Sequence, residues 1–234
     1  MSKKLWNHLA ADFETAVCDV TRSSGTQIAD LVRRTHPSRA KTLVDAGCGI
    51  GSFVRRFGRR YGRVVAFDFA AKMVERAQER CADVPNVAWA TMGLEAAAGK
   101  LGPIGDFVAC LNVITSTDAD LRRRQWASLA GLPKPGGYAL VVVPALESAL
   151  RVVEHADDEN LIHRSDFDAG LVYRGDAPQK HYTRDELADI ASGLDLRIIS
   201  IKRVHYPWSD DGVDDPGRLS PWSWGLLARR RTRP

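Results

Sequence analysis

The stretch Leu43-Val44-Asp45-Ala46-Gly47-Cys48-Gly49-Ile50-Gly51 constrains this chain more than any other. It begins apolar, as a buried strand does, then places glycine at every second position, and a helix-like run from Ser52 to Tyr61 follows directly. Backbone without Cβ atoms can turn sharply and lie against a ligand. A helix start just beyond such a turn leaves backbone N–H groups unspent. Asp45, at the strand end, can accept a hydrogen bond from a cationic or hydroxylated ligand. Together these features describe a nucleotide-type site at the carboxyl end of a first parallel strand. The pyrophosphate fingerprint G-x-G-x-x-G is incomplete, because its third glycine falls on Ser52. A plain strand-to-helix turn is the competing reading.

With 234 residues, the chain suits one α/β domain with small additions and a proper core. No apolar run approaches the roughly 20 residues that span a bilayer. Met1 to His8 lacks the apolar centre of a signal peptide, so a cytoplasmic location and no membrane partner are expected. Cys18, Cys48, Cys81 and Cys110 form no Cys-x-x-Cys pair, which argues for free thiols over a disulfide framework or zinc site.

The period of apolar residues orders the rest of the chain. Leu5, Trp6, Leu9, Phe13 and Val17 form one helical stripe, and a second helix is expected from about Thr26 to Thr35, before Pro37. Strands are expected at Thr42 to Asp45, Arg63 to Asp68, Val87 to Ala90, Asp106 to Leu111 and Tyr138 to Val143, with a tight turn at Lys134 to Gly137. Helices are expected at Ala70 to Cys81 and Asp118 to Leu129. Asp68 follows Asp45 at about the spacing from which a second-strand acid takes a ribose diol; its competing role is the N-cap of the next helix. Residues 145–182 break the rhythm and read as an insertion, partly helical from Ala145 to His155, with a short strand at Leu171 to Tyr173. Thr183-Arg184-Asp185-Glu186 then has capping-box spacing and opens a helix that ends at Gly193. Strands at Leu196 to Val204 and Trp222 to Ala228, with no helix between them, imply an antiparallel hairpin at the sheet edge.

The glycine run Asp-x-Gly-x-Gly-x-Gly resembles the first motif of the class I S-adenosylmethionine (SAM)-dependent methyltransferases, and the element order resembles that family over about residues 40–230. The resemblance implies a Rossmann-like, doubly wound seven-stranded sheet, mostly parallel, in the order 3-2-1-4-5-7-6 with the last strand antiparallel. It divides a single domain into a helical N-terminal lid (1–37), a SAM-binding half (38–144), an insertion (145–182) and a C-terminal helix with a strand hairpin (183–234). By position, Asp45, Gly47, Cys48, Gly49 and Gly51 would cradle the methionine part of SAM. Asp68 would take the ribose and Phe69 would contact adenine. Met92-Gly93-Leu94-Glu95 stands where many members carry Gly-Asp-Ala-Glu; Gly93 thus departs from the adenine-binding acid, leaving a backbone contact at Leu94. Leu111-Asn112-Val113 matches the segment lining the methyl-transfer site, and His181-Tyr182-Thr183 matches the approach to the late helix.

The cofactor so implied is SAM, with S-adenosylhomocysteine as product. A sulfonium is a cation, which suits Asp45 and strand-end carbonyls better than a pyrophosphate would. Displacement at a methyl group needs alignment and no covalent nucleophile. His181 is the candidate base, against the bland reading of a loop histidine; His155, His163 and His205 are further candidates. The acid-rich run from Glu154 to Glu159 has no diagnostic ligand spacing, and no metal is expected. Trp6, Phe13, Tyr173, Tyr182, Tyr206 and Trp208 would form an aromatic lid over a planar or apolar small-molecule substrate, with ordinary packing as the alternative. Monomer and homodimer both fit. Nucleic acid is not the expected partner, although the clusters Arg55 to Arg63, Arg122 to Arg124 and Arg229 to Arg233 keep an RNA methyltransferase as the rival. Others are a non-catalytic SAM-binding protein and a nicotinamide oxidoreductase, the last weakened by Ser52 and the closing hairpin.

Overall fold

A computed structural model describes residue 7 and residues 19–156, 164–174, 177–212, 214, 215, 217 and 219–232. Two helices come first, α1 (Val20–Ser23) and α2 (Gly25–Arg33), followed by β1 (Thr42–Ala46), α3 (Ser52–Phe57), β2 (Arg63–Asp68), α4 (Ala71–Arg80) and β3 (Val87–Thr91). Next are α5 (Leu94–Leu101), β4 (Gly105–Leu111), α6 (Ala119–Gly131), β5 (Pro133–Pro144) and α7 (Leu146–Ala156). A small hairpin, β6 (Leu171–Arg174) with β7 (Ala177–Lys180), precedes α8 (Arg184–Gly193), β8 (Leu196–His205) and β9 (Trp222–Arg230).

The main sheet has seven strands in the order β3-β2-β1-β4-β5-β9-β8. The first five are parallel, and β9 is antiparallel to both β5 and β8. This is the expected topology, with the closing hairpin supplying the last two strands. Alternate residues of each strand serve opposite faces. Val44, Ala46, Val65, Phe67, Val108, Cys110, Val141 and Val143 enter one core with Trp126, Leu129 and Leu187. Leu43, Val64, Ala66, Phe107, Ala109, Leu140 and Val142 enter the other with Ile28, Phe53 and Phe57. Helices cover both faces, which is why the central strands read as unbroken apolar runs. By this alternation Asp45 belongs to the second face, the one packed by α2 and α3.

Several expectations change. The helix after Gly51 stops at Phe57 and tightens into a 3-10 turn, Gly58–Arg60, whose end is held by Asn86 Nδ2 donating to the carbonyls of Gly58 (3.2 Å) and Tyr61 (2.8 Å). Residues 134–137 are not a turn ahead of the strand; they lie inside β5, and the pairing with β4 shifts register between Gly105 and Phe107. Gly137 fits there because a Cβ would lie 2.7 Å from the Gly105 carbonyl oxygen. Helix α5 was not anticipated: its Ala-Gly-rich sequence has too few large apolar residues to print a stripe, and it packs through small side chains, with Ala97 fully buried. The capping box at Thr183 is half formed. Thr183 Oγ1 accepts from the Glu186 N–H (3.1 Å), but the Glu186 carboxylate turns to Lys180 Nζ (2.9 Å). The 1–18 stripe, apart from residue 7, lies outside the described residues. Among the described residues no helix is long and apolar enough to cross a membrane.

Candidate active site

The site is built where β1 and β4, neighbours whose crossovers run in opposite directions, leave a crevice at their carboxyl ends. Gly47 (φ 78°), Gly49 (φ 50°) and Gly51 (φ 81°) all take left-handed backbone, which is open to glycine at little cost. The Gly47 and Cys48 N–H groups donate to the Phe67 carbonyl at 2.8 and 2.9 Å. This ties the loop to the end of β2.

Asp68 completes that tie. Its Oδ2 accepts from the Gly49 N–H (3.1 Å) and its Oδ1 from the Ala70 N–H (2.9 Å), so one carboxylate joins the glycine loop to the approach of α4. It is not the N-cap of that helix; Ala70 occupies the cap and makes no side-chain bond there. Burial raises the Asp68 carboxyl above its ordinary value, against the lowering effect of the Ala70, Gly49 and Phe69 N–H groups.

Asp45 is the strongly perturbed carboxyl of the site. It is 2% exposed, and its Oδ2 has no hydrogen-bond partner among the described residues. Burial, then the charges of Asp68 and Asp19, push its carboxyl from 3.8 up to about 8. Across the crevice, Asn112 takes left-handed backbone (φ 56°) at the end of β4; its N–H donates to the Val142 carbonyl (2.8 Å), and its buried Oδ1 is also unpartnered. Val113 closes against Gly47, where a Cβ would stand 2.3 Å from Val113 Cγ2. Buried acceptors without donors cost free energy unless a ligand or water satisfies them. Two of them at the carboxyl ends of the adjacent strands β1 and β4, beside a glycine cradle, are what a ligand rich in donors or carrying positive charge would satisfy.

Residues 43–137, which contain this crevice, match the family model described as a methyltransferase domain. Through them, this stretch of the chain is similar to methyltransferase domains. Methyltransferases of Mycobacterium bovis and Mycobacterium tuberculosis, both named as uncharacterized, are 31% identical to it over 117 residues, which is 49% of this chain and 57% of theirs. The chain thus aligns with little more than half the length of these curated relatives. The crystal structure of magnesium protoporphyrin IX methyltransferase from Synechocystis, with S-adenosylhomocysteine bound, superposes with a TM-score of 0.62 at 19% identity, over 88% of this chain and 81% of that one. Geranyl diphosphate C-methyltransferase from Streptomyces coelicolor gives 0.61 at 14% identity, over 88% and 76%. These two likenesses are likenesses of fold.

In this crevice the structure brings together Asp45, Gly47, Cys48, Gly49, Gly51, Asp68 and Phe69 around the first loop, with Asn112 and Val113 beside it after Leu111. Met92 is tied in by its N–H to the Asp68 carbonyl (2.9 Å), and Leu94 is buried at the start of α5. Gly93 is the N-cap of α5, and the Glu95 carboxylate folds back over it, 2.1 Å from where a Cβ at 93 would sit.

The proposed lid is less coherent. Tyr182 is 1% exposed, donates its hydroxyl to the Ile114 carbonyl (2.8 Å) and meets Trp126 edge-on at 6.1 Å. It is a core residue that pins the segment after Asn112, and it presents no face to a substrate. Trp208 and Tyr206 are buried beyond the end of β8, and Tyr173 is half-buried under the Arg164 guanidinium at 4.3 Å. Trp6 and Phe13 lie outside the described residues. His181 is 4% exposed, with Nδ1 3.2 Å from the Gln179 carbonyl oxygen. Of the acid-rich run, residues 157–159 lie outside the described residues.

Sequence reasoning missed Asp19, whose charge bears on Asp45, and the pair Trp222 and Trp224. Trp224 Nε1 donates to Glu147 Oε2 (2.9 Å), and Arg203 lies 4.3 Å over Trp222. A tryptophan alternation within a strand carries no signal that separates a structural stack from a binding one.

Proposed function

We propose that the chain transfers a methyl group from SAM, by direct displacement, to a small aromatic or heterocyclic metabolite. The observation that carries this reading is the buried Asp45 carboxyl, its Oδ2 without a partner among the described residues, beside a three-glycine cradle at the switch point of the sheet. Asp45 and Asp68 would hold the amino-acid and ribose parts of the cofactor, and the loop from Gly47 to Gly51 leaves room for it. Asn112 Oδ1 stands ready to accept from an N–H or O–H group at the reacting end. When bound, SAM supplies an electrophilic methyl group. The work left to the chain is alignment and exclusion of water, together with somewhere for the acceptor's proton to go when the acceptor is a hydroxyl or a weakly acidic nitrogen; an amine arriving neutral needs no base. His181 is our candidate to receive that proton.

The neighbours named for a porphyrin and for geranyl diphosphate support small molecules as acceptors. So does the way the arginines are spent. Arg56 donates to the Thr21 carbonyl, Arg59 to that of Asp83, Arg122 to those of Ser116 and Thr117, and Arg230 to those of Gly131 and Pro133. Guanidinium groups committed to the chain's own carbonyls offer less to a phosphate backbone than the sequence clusters suggest. We take the protein to act in the cytoplasm, as a monomer or homodimer.

Incubation with methyl-labelled SAM and a panel of aromatic and heterocyclic metabolites should place the label in a small molecule. Label recovered in RNA would transfer the reading to its rival. Within the lid, Trp208→Ala should raise the acceptor's KM at least about fivefold while changing the Kd for S-adenosylhomocysteine less than twofold. Equal weakening of both would make Trp208 a packing residue only.

A further inference from the structure

The N-terminal helix pair is bolted to the cofactor loop and to the far end of the sheet at once. Val20 is buried with Cys48 and Phe53. Arg56, on the helix that follows the glycine loop, donates Nη1 to the Thr21 carbonyl (3.0 Å) and fills the space over Gly25, where a Cβ would lie 1.9 Å from that nitrogen. On the other side, Ser24 Oγ donates to the His205 carbonyl (2.6 Å), and the His205 N–H donates to Gln27 Oε1 (2.7 Å). This fixes Asp19, the N-cap of α1, on the Asp45 face of the sheet. Asp19 uses only Oδ1 for capping, accepting from the Thr21 and Arg22 N–H groups at 3.0 and 3.3 Å; its Oδ2 makes no hydrogen bond among the described residues.

Asp45 itself points to a ligand: a carboxyl 2% exposed, with Oδ2 unpartnered among the described residues, and feeling the charges of Asp68 and Asp19. The other titratable groups that act on or feel it, Asp68 and the thiols of Cys48, Cys81 and Cys110, bring no positive charge. A cation is what this surrounding lacks. We propose that Asp19 is a further residue of the cofactor site: with Asp45 it holds the ammonium group of the cofactor's amino-acid moiety. The proposal rests on SAM being the cofactor.

Calorimetric titration of the full chain tests it with two probes, S-adenosylhomocysteine and its deaminated analogue, which keeps the carboxylate and lacks the ammonium. Asp19→Asn is the variant, because asparagine caps a helix as well as aspartate does and removes only the charge. The expected result is at least about tenfold weaker binding of S-adenosylhomocysteine by Asp19→Asn, and binding of the deaminated analogue unchanged within about twofold. Unchanged binding of both probes, or equal loss of both with α1 still folded by hydrogen exchange, overturns the proposal and leaves Asp19 a cap. Failure of the wild-type protein to bind S-adenosylhomocysteine would instead overturn the cofactor reading, and this proposal with it.

Discussion

Asp45→Asn should make the protein more stable and its cofactor site nearly useless. Burial and the neighbouring Asp68 and Asp19 hold the Asp45 carboxyl at about 8, against 3.8 unperturbed. The folded state therefore keeps a proton that the unfolded chain releases. Stability from this group is fully present below about pH 4, declines as pH rises, and is gone above about pH 8. An amide of the same shape carries no such dependence. Near pH 8 the variant should gain on the order of 3 kcal/mol, or roughly 6–12 °C in Tm. Near pH 4 the two proteins should melt together. Melts taken across this range check the sign, and a gap that does not widen with pH would refute the assignment. Binding runs the other way. A cation in the site expels the Asp45 proton, so wild-type affinity should fall as pH drops below about 8, by up to about tenfold per unit. The variant should lose about 30- to 100-fold and this pH dependence together.

The second large effect is expected at Gly47. An alanine there would face φ 78° and place its Cβ 2.3 Å from Val113 Cγ2 and 3.0 Å from Cγ1. The backbone term alone is about 1–2 kcal/mol. Relief requires Val113 to move, and Asn112 beside it already takes left-handed backbone. Gly47→Ala should therefore lose about 2–4 kcal/mol and at least tenfold in S-adenosylhomocysteine affinity. Gly99→Ala is the control: nothing lies within 4 Å of its Cβ position inside α5, so helix propensity alone should stabilise it by about 0.5–1 kcal/mol. If Gly47→Ala behaves like the control, the cradle is not a constrained one.

The sheet and its first loop were legible because their signals are local. Buried parallel strands print continuous apolar runs such as Val64 to Phe67, and a turn that needs three left-handed residues in a short span prints glycines. The hairpin of β8 and β9 was legible from the missing helix between them. Helix α5 was not, because packing through alanine leaves no stripe. Tyr182 shows the limit for side chains. Its place beside the late-helix motif marks it as near the site, yet whether it faces a substrate or the core depends on Trp126 and Ile114, distant in sequence. Asp19 was invisible for the same reason. Only the folded chain shows that the helix pair, anchored by Arg56 and His205, carries its charge to Asp45.

The most direct test of the account is calorimetric titration of the purified protein with S-adenosylhomocysteine, with NAD⁺ as the control, in two buffers of different ionisation heat near pH 7. The account predicts micromolar binding of S-adenosylhomocysteine, none of NAD⁺, and a buffer-dependent heat that reports proton release from Asp45. A folded protein that binds NAD⁺, or binds neither, would contradict it.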